Sequence, residues 1–155
     1  MKRYVFGQPI DTEAVLSKPQ AEVGDIVGIS VLEDERFPLS FGLDLSDEDI
    51  VYGLGENVRG INKRGWIYTS KNADDPVHDE GKHSLYASHN FILLSGEKHV
   101  GFFFDTPGEV IFDIGYSHYD KLVVSLVDPD VEVYVIEGDS DLDVIHEFRK
   151  LIGKS

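Results

Sequence analysis

Carboxylates are the reactive groups that this sequence offers in greatest number. Asp and Glu account for 29 of the 155 residues, against 14 Lys and Arg, and cysteine is absent. Two carboxylates held about 5 to 10 Å apart can cleave a glycosidic bond by acid–base or nucleophilic chemistry. With so many acids the sequence does not select such a pair, and it holds no G-x-S-x-G motif for a serine nucleophile.

An acidic segment at residues 71–81, KNADDPVHDEG, is the most conspicuous group of these side chains. It lies between two stretches that are typical of β-strands, WIYTS and HSLYASHNFILLS. A β-hairpin needs about two to five connecting residues, and the segment has almost no apolar side chain that could hold it down. Its excess length indicates either a binding loop or a solvated loop without a role.

Two other patterns point to nucleotide or metal binding but lack residues that such sites require. The stretch YGLGENVRG, residues 52–60, misses the spacing of a dinucleotide fingerprint and the Gly-Lys-Ser/Thr of a phosphate loop. Asp139, Asp141 and Asp143 have the spacing of a calcium loop, but the glycine at position six and the closing glutamate are missing. We interpret the glycines as structural and these acids as capping a helix.

Histidines do not form a recognisable metal-binding pattern either. There is no His-x-x-x-His spacing and no nearby His-x-Glu pair, and surface positions are predicted for most of the six: His78, His83, His89, His99, His118 and His146. No metal and no cofactor are predicted.

Short runs of strand-forming residues alternate with turn-forming residues at spacings near a dozen residues. This rhythm predicts an all-β chain folded as an antiparallel β-sandwich, with one helix at its C-terminal end. In DIVGISVLE, a period of two places Val27, Ile29 and Val31 on one side of a strand.

Three further runs are predicted to be strands of the same sandwich. VEVYVIEG alternates, with Val131, Val133 and Val135 on one side. HVGFFFDT and LVVSLVD are apolar throughout, which is typical of central strands covered on both faces.

One helix is predicted, over residues 141–152. Ser140 is a suitable N-cap, acids fill the first turn, and Gly153 can end the helix. Apolar residues recur every three to four positions and are predicted to pack on the sheet: Leu142, Ile145 and Phe148. A lone helix at the end of the chain indicates a single domain, residues 1–155, taken from a longer protein.

Composition excludes several classes of partner. The formal net charge of −15 would repel a phosphate backbone, and no apolar run has the length of a membrane span or of a signal peptide. The absence of cysteine fits a reducing compartment. We therefore expect a cytoplasmic protein with no nucleic-acid and no membrane partner, and a homo-oligomer is left open.

Four segments, taken in chain order, resemble the motifs of one known family. DEDIVYGLGENVRGINKRGWIYTSKNADDP is similar to a Tyr-Gly-Leu-Gly-Glu strand, an Asn-Lys/Arg-Arg-Gly turn and an Asn-x-Asp loop. SLYASHNFILL, HVGFFFDTPGEVIFDIGY and VEVYVIEGDSDLDVIHEFRKLIGKS resemble the strand, the hairpin and the closing strand and helix that follow. The family is glycoside hydrolase family 31, the α-glucosidases and their relatives. The agreement covers residues 47–155, whereas residues 1–46 match loosely.

The resemblance implies a galactose-mutarotase-like β-sandwich, the N-terminal domain of an enzyme whose (β/α)8 catalytic barrel is absent from this chain. The nucleophile and general acid of the family are aspartates of that barrel, so no catalytic residue is assigned here. The complete enzyme is expected to hydrolyse terminal α-linked glucose from short oligosaccharides with retention of configuration. An α-glucoside oligosaccharide and the intramolecular barrel are the expected partners, and this fragment alone is expected to be inactive.

The resemblance also gives residues 71–81 a role. In the family the matching loop reaches over the barrel mouth, and its aspartate accepts hydrogen bonds from sugar hydroxyls in the leaving-group subsite. By motif position that substrate-binding aspartate is Asp74, and Asn72 and Asp75 support the loop. Ala73 stands where the family often has Thr or Tyr, so a different leaving-group preference is expected.

Other residues of the matched motifs are expected to be structural. They satisfy buried backbone groups or shape turns, and they are Glu56, Asn62, Arg64, Asp105 and Pro107. Trp66 is assigned to the core or to an interface.

Two functions of other classes are left open. A free-standing carbohydrate-binding module would need an exposed aromatic platform, for which Tyr116 and Tyr119 near a turn are the available residues. An aldose-epimerase-like enzyme would need a histidine pair and a glutamate in one cleft.

Overall fold

The computed structural model of the chain describes residues 1–54, 62–70 and 90–153. In these residues ten strands and one helix follow one another along the chain. The strands are β1 Lys2–Phe6, β2 Ser30–Leu32, β3 Leu39–Asp44, β4 Ile50–Gly53, β5 Trp66–Ser70, β6 Phe91–Ser95, β7 His99–Asp105, β8 Val110–Ile114, β9 Lys121–Leu126 and β10 Val131–Gly138. The helix, α1, is Asp141–Ile152.

The strands form two five-stranded sheets. The first sheet has the order β1-β10-β7-β6-β4 and the second the order β2-β3-β9-β8-β5. Every pairing between these strands is antiparallel. This arrangement confirms the predicted all-β fold, an antiparallel β-sandwich with a C-terminal helix.

The main core lies between the two sheets and is built around aromatic side chains. Phe41 and Phe112 come from the second sheet and Phe104 from the first, and all three are fully buried. The Phe104 ring centroid lies 5.8 Å from that of Phe41 and 5.9 Å from that of Phe112. Val131, Val133 and Val135 of β10 all face this core, as predicted. The alternation was that of a strand with one buried face, and this part of the prediction was wrong, because Glu132, Tyr134 and Ile136 on the opposite face are buried too.

A second, smaller core lies between the first sheet and α1. The opposite faces of β10 and β7 supply Tyr134, Ile136 and Phe103, which the helix covers. Both strands are therefore buried on both faces. For β7 this was predicted from its continuously apolar sequence. No helix in the described part of the chain has the length and apolar character needed to cross a membrane.

The helix begins and ends where the sequence predicted. The Ser140 hydroxyl accepts a hydrogen bond from the Asp143 backbone N–H at 3.2 Å. Gly153 closes the helix in the left-handed conformation, with φ 77°, and its N–H donates to the Arg149 carbonyl. A glycine adopts this conformation without a steric penalty.

The predicted packing face of α1 was wrong at Leu142, which is 76% exposed. The residues buried against the sheet are Val144, Phe148 and Leu151, and Ile145 is half-buried. Phe148 stacks on Phe91 with ring centroids 4.0 Å apart. Val144 and Phe91 can both approach because Gly101 leaves room on the sheet, where an added Cβ would lie 2.7 Å from each.

The strand predicted from DIVGISVLE was also wrong in its extent. Strand β2 begins only at Ser30, and Val27 and Val31 are 73% and 57% exposed, whereas Ile29 is buried. Gly28 has a φ of 85°, which turns the chain before β2.

Strand β9, from LVVSLVD, is central in its sheet but is not covered on both faces as predicted. Leu122, Val124 and Leu126 are buried in the main core, while Lys121 and Val123 line a cleft that is open to solvent. Helix α1 packs on the first sheet, and in the part of the chain that the structure describes no helix packs on the outer face of the second sheet.

Candidate functional site

The predicted binding loop, residues 71–81 with Asn72, Asp74 and Asp75, lies outside the described residues. Glu56 lies outside them too. The described chain places Ser70, at the end of β5 in the second sheet, and Asn90, directly before β6 in the first sheet, in buried positions. The predicted roles of the three loop residues stay predictions.

The Asn-Lys-Arg-Gly motif has the structural role that was expected. The Asn62 side-chain oxygen accepts hydrogen bonds from the backbone N–H groups of Val51 and Arg64, at 3.3 and 3.2 Å. The Arg64 guanidinium donates to the carbonyls of Asp49 and Tyr119, both at 2.9 Å. The motif thereby joins β4 to the turn between β8 and β9.

A buried group of charged residues, the Glu132 cluster, joins the N-terminal part of the chain to the first sheet. It consists of Glu132, Arg3, Lys18 and Tyr134. The Glu132 carboxylate accepts hydrogen bonds from Arg3 at 2.7 Å, from Lys18 at 3.3 Å and from the Tyr134 hydroxyl at 2.6 Å. Because these three donors surround the carboxylate, it is committed to structure and is not offered to a ligand.

These contacts decide the ionisation of the cluster. Burial by itself would raise the pKa of Glu132, but the hydrogen bonds from Arg3 and Tyr134 outweigh burial and leave this pKa below its ordinary value. Burial, together with the neighbouring Glu132 carboxylate, raises the pKa of the Tyr134 hydroxyl. The cluster is therefore an ionised carboxylate held by two cations and a neutral phenol.

Asp105 does not have the turn-shaping role that was predicted for it. Its carboxylate is buried and accepts a hydrogen bond from the Thr12 hydroxyl at 2.6 Å, 93 residues away along the chain. In the turn after β7 it is the Thr106 hydroxyl that accepts from the Gly108 N–H, at 3.3 Å. Burial raises the pKa of Asp105, and the bond from Thr12 only partly opposes this.

A cleft of about 670 Å³ lies on the outer face of the second sheet. We call it the second-sheet cleft. Along its floor, strand register places Gly42 opposite Val123, while Ser125 lies opposite Ser40 and bonds to its hydroxyl at 3.2 Å. These short side chains lie at the middle of the sheet, and larger ones stand toward its edges, namely Leu32, Ile67 and Ile111. The Leu32 side chain packs over Gly42, where an added Cβ would lie 2.8 Å from the Leu32 Cδ1 atom.

Several charged groups around the second-sheet cleft are paired with one another or with backbone, and Glu33 lines the cleft as well. Asp34 accepts two hydrogen bonds from the Arg36 guanidinium, at 3.1 and 3.0 Å. Lys121 is paired with Asp44 across neighbouring strands. These pairs lower the pKa of Asp34 and raise the pKa values of Arg36 and Lys121.

Asp113, also in the cleft, accepts hydrogen bonds from the backbone N–H groups of Tyr116 and Ser117, at 3.0 and 3.1 Å. It thereby shapes the turn between β8 and β9, from which Ser117 and His118 line one end of the cleft. The second-sheet cleft was not predicted, because its walls come from five strands.

The histidines that the structure describes do not form a catalytic pair. His99 is hydrogen-bonded to Asp141 at 2.7 Å, and Ser95 donates to the same carboxylate at 2.9 Å. His118 lies in the second-sheet cleft. Among the described residues, no group of three or more His, Asp or Glu side chains could hold a metal ion.

The fold defines the class of this chain first. Two five-stranded antiparallel sheets with a covering helix match the description of a galactose-mutarotase-like domain. Residues 17–113 match the family model of the glycosyl hydrolase 31 N-terminal galactose mutarotase-like domain. The chain belongs to this family, as its motifs predicted, and its relatives are glycosidases.

Similar proteins are much longer than this chain. It is 30% identical to an alpha-glucosidase of Saccharolobus solfataricus over 94% of its own length and 20% of that protein. It is 30% identical to an alpha-xylosidase of Lactiplantibacillus pentosus over 76% of its length and 14% of that protein. This chain therefore spans about a fifth or less of the length of these relatives.

A likeness to solved structures supports the fold. A glycoside hydrolase family 31 dextranase of Flavobacterium johnsoniae, complexed with glucose, aligns with 79% of this chain and 15% of its own. The TM-score is 0.63 and the sequence identity 24%. At this identity the likeness shows the shared sandwich and carries no statement about substrate.

Proposed function

We propose that this chain is the non-catalytic N-terminal domain of an α-glucosidase. The complete protein would hydrolyse terminal α-linked glucose from short oligosaccharides with retention of configuration, and its catalytic residues would lie in a (β/α)8 barrel outside this chain. The observation that carries the proposal is the 30% identity to an alpha-glucosidase over 94% of the chain. A cytoplasmic location, suggested by the absence of cysteine, is part of the same proposal.

An α-xylosidase is the second candidate. Two relatives carry that name, one 30% identical over 76% of this chain and one 29% identical over 72%. Glucose and xylose differ by one hydroxymethyl group, which the catalytic barrel would have to accept or reject.

We also propose that residues 71–81 complete the leaving-group subsite of that barrel. The support is the position of Asp74 in the Asn-Ala-Asp-Asp-Pro motif, with Asn72 and Asp75 bracing the loop. An ionised carboxylate offers only acceptors, and hydrogen bonds to it are roughly twice as strong as neutral ones. A carboxylate at this point would favour substrates whose leaving group carries hydroxyls.

The test measures the hydrolysis of two aryl glycosides by two forms of the protein. The complete protein is expected to hydrolyse p-nitrophenyl α-glucoside with a higher kcat/KM than p-nitrophenyl α-xyloside. The 155-residue chain, assayed at the same concentration, is expected to hydrolyse neither.

The outcomes separate the two candidates. A higher kcat/KM on the xyloside would replace the α-glucosidase proposal with the α-xylosidase. Turnover by the purified 155-residue chain would overturn the assignment of a non-catalytic domain.

A further inference from the structure

We propose that the second-sheet cleft is a binding site for an uncharged oligosaccharide. This goes beyond the proposed function, because it gives the sandwich a sugar-binding role of its own. The site is built from β2, β3, β5, β8 and β9 and uses residues outside the segment 71–81.

The shape of the cleft suits a short sugar chain. Its volume of about 670 Å³ falls within the roughly 300 to 1,000 Å³ of typical ligand pockets. Ser125 bonds to the Ser40 hydroxyl, and the Leu32 side chain, which packs over Gly42, bounds the cleft on the β2 side. Larger residues at both edges then form walls that an extended ligand can contact along its length.

The surface of the cleft combines the two kinds of group that sugars need. Leu32, Ile67, Ile111 and Val123 present aliphatic surface, which suits the C–H faces of a sugar ring. Ligand sites typically combine such apolar lining with a few well-placed polar groups. Charged and titratable side chains also line the cleft, and they are Glu33, Asp34, Arg36, Asp44, Asp113, His118 and Lys121.

Charge argues for an uncharged ligand. The chain carries a formal charge of −15, which opposes anions. Arg36 and Lys121 are already paired with Asp34 and Asp44, so neither cation is offered to an anionic ligand. Carboxylates that are paired in this way retain oxygen lone pairs that can accept hydrogen bonds from hydroxyl groups.

Two exposed aromatic residues belong to the turn that supplies part of the cleft lining. Tyr116 and Tyr119 are 60% and 68% exposed, and they belong to the same turn as Ser117 and His118, which line the cleft. Exposed tyrosines offer apolar ring surface together with a polar hydroxyl.

Titration calorimetry of the 155-residue chain with maltotriose tests the proposal. We expect saturable binding of maltotriose. Ile67→Ala should raise the Kd about tenfold, because it removes the apolar contact of one isoleucine side chain. His118→Ala is expected to weaken binding as well. The matched controls are Ile10→Ala and His146→Ala, two exposed residues outside the cleft, and both should bind maltotriose as the parent chain does.

The salt dependence of binding distinguishes a site for a neutral ligand from a site for a charged one. Binding of maltotriose should change less than about twofold between low and high salt, because screening acts on charges. Saturable binding of spermine, with no binding of maltotriose, would overturn the proposal in favour of a cation site. Absence of saturable maltotriose binding, or equal losses in the cleft and control variants, would also overturn it.

Lysine acetylation extends the test to the complete protein. Lys121 should be acetylated in the absence of sugar, and maltotriose should protect it from acetylation. The exposed Lys150 of α1 should be acetylated in both conditions. If Lys121 is not acetylated even in the absence of sugar, another part of the protein covers the cleft, and this would contradict the proposal. Failure of the complete protein to hydrolyse glycosides would overturn the proposed function and leave the calorimetric result unchanged.

Discussion

Glu132 and Asp105 are neighbouring buried carboxylates whose surroundings shift their pKa values in opposite directions. Two donors of hydrogen bonds, Arg3 and Tyr134, favour the ionised form of Glu132 and lower its pKa. Asp105 has the Thr12 hydroxyl as its hydrogen-bond donor, and burial raises its pKa. Ionised Glu132 therefore stabilises the fold, whereas ionisation of Asp105 opposes folding.

Replacing Glu132 by Gln should destabilise the protein strongly. The substitution removes the counter-charge that Glu132 supplies to Arg3 and Lys18, while Lys18 keeps the exposed Asp11 carboxylate at 3.7 Å. Removing one partner of a buried ion pair lowers the free energy of unfolding by about 3 to 5 kcal/mol. Because both cations are partly exposed, we expect a loss of roughly 2 to 4 kcal/mol here. Urea unfolding measures the loss. Glu137→Gln, on the exposed end of β10, is the control and should change the free energy of unfolding by less than about 0.5 kcal/mol.

Replacing Asp105 by Asn should change how stability depends on pH. The pKa of Asp105 is raised in the folded protein. The contribution of Asp105 to folding stability is therefore fully present below the pKa of an unfolded Asp, about 3.9, and is lost as pH rises through the folded pKa. Asn keeps an oxygen acceptor for Thr12 and cannot ionise. The free energy of unfolding of the variant, relative to the parent, should therefore increase from about pH 4 to about pH 7.

Urea unfolding across this pH range checks the expectation. The other charged groups that face Asp105 are Glu132, Lys18 and Asp11, and all are retained in the variant. Asp47→Asn, at an exposed carboxylate, is the control and should follow the parent at every pH. A variant that loses stability relative to the parent as pH rises would contradict the pKa direction given for Asp105.

At the scale of elements, α1 shows that helix bounds and helix orientation are set by different interactions. Ser140 and Gly153 define the ends through hydrogen bonds within a few residues. Orientation depends on contacts with β6 and β7, where Phe91 stacks on Phe148 and Gly101 makes room for Val144. A helix with apolar residues on more than one side needs such a partner to decide which side is buried.

Two leucines of the helix test this orientation. Leu151 is buried and Leu142 is exposed. Leu151→Ala should cost about 2 to 4 kcal/mol of stability because it leaves a cavity, whereas Leu142→Ala should cost less than about 0.5 kcal/mol. Thermal or urea unfolding of both variants gives the comparison. The reverse order would support the orientation predicted from the sequence.

At the scale of the whole molecule, the two sheets differ in how their outer faces are used. The first sheet is covered by α1, while the second sheet presents the second-sheet cleft. The chain spans about a fifth or less of its relatives, so its function is proposed in the context of a longer protein.

Asp74→Ala in the complete protein tests the proposed leaving-group role. Only a disaccharide has hydroxyls on its leaving group that can donate to this carboxylate, so kcat/KM on maltose should fall about 10- to 100-fold, the value of one charge-assisted hydrogen bond. Hydrolysis of p-nitrophenyl α-glucoside should fall much less. Asp79→Ala, in the same segment, is the control. Equal losses on both substrates in Asp74→Ala would contradict the role.

Much of the fold followed from local pattern. The alternation of Val131, Val133 and Val135 and the capping residues Ser140 and Gly153 depend on backbone geometry within one element. Such signals act over a few residues and are readable without knowing what the element packs against. The family motifs added the galactose-mutarotase-like type of the sandwich and pointed to Asp74.

Tertiary structure decided the features that depend on partners far away in the chain. Pairing of Asp105 with Thr12, the burial of Leu151 in place of Leu142, and the packing of Leu32 over Gly42 each join residues from separate elements. The sequence by itself determined the elements and the family, because hydrophobic period, capping and motif are local properties. Which faces are buried and where a cleft forms were decided by sheet order and register, because burial is a property of two surfaces in contact.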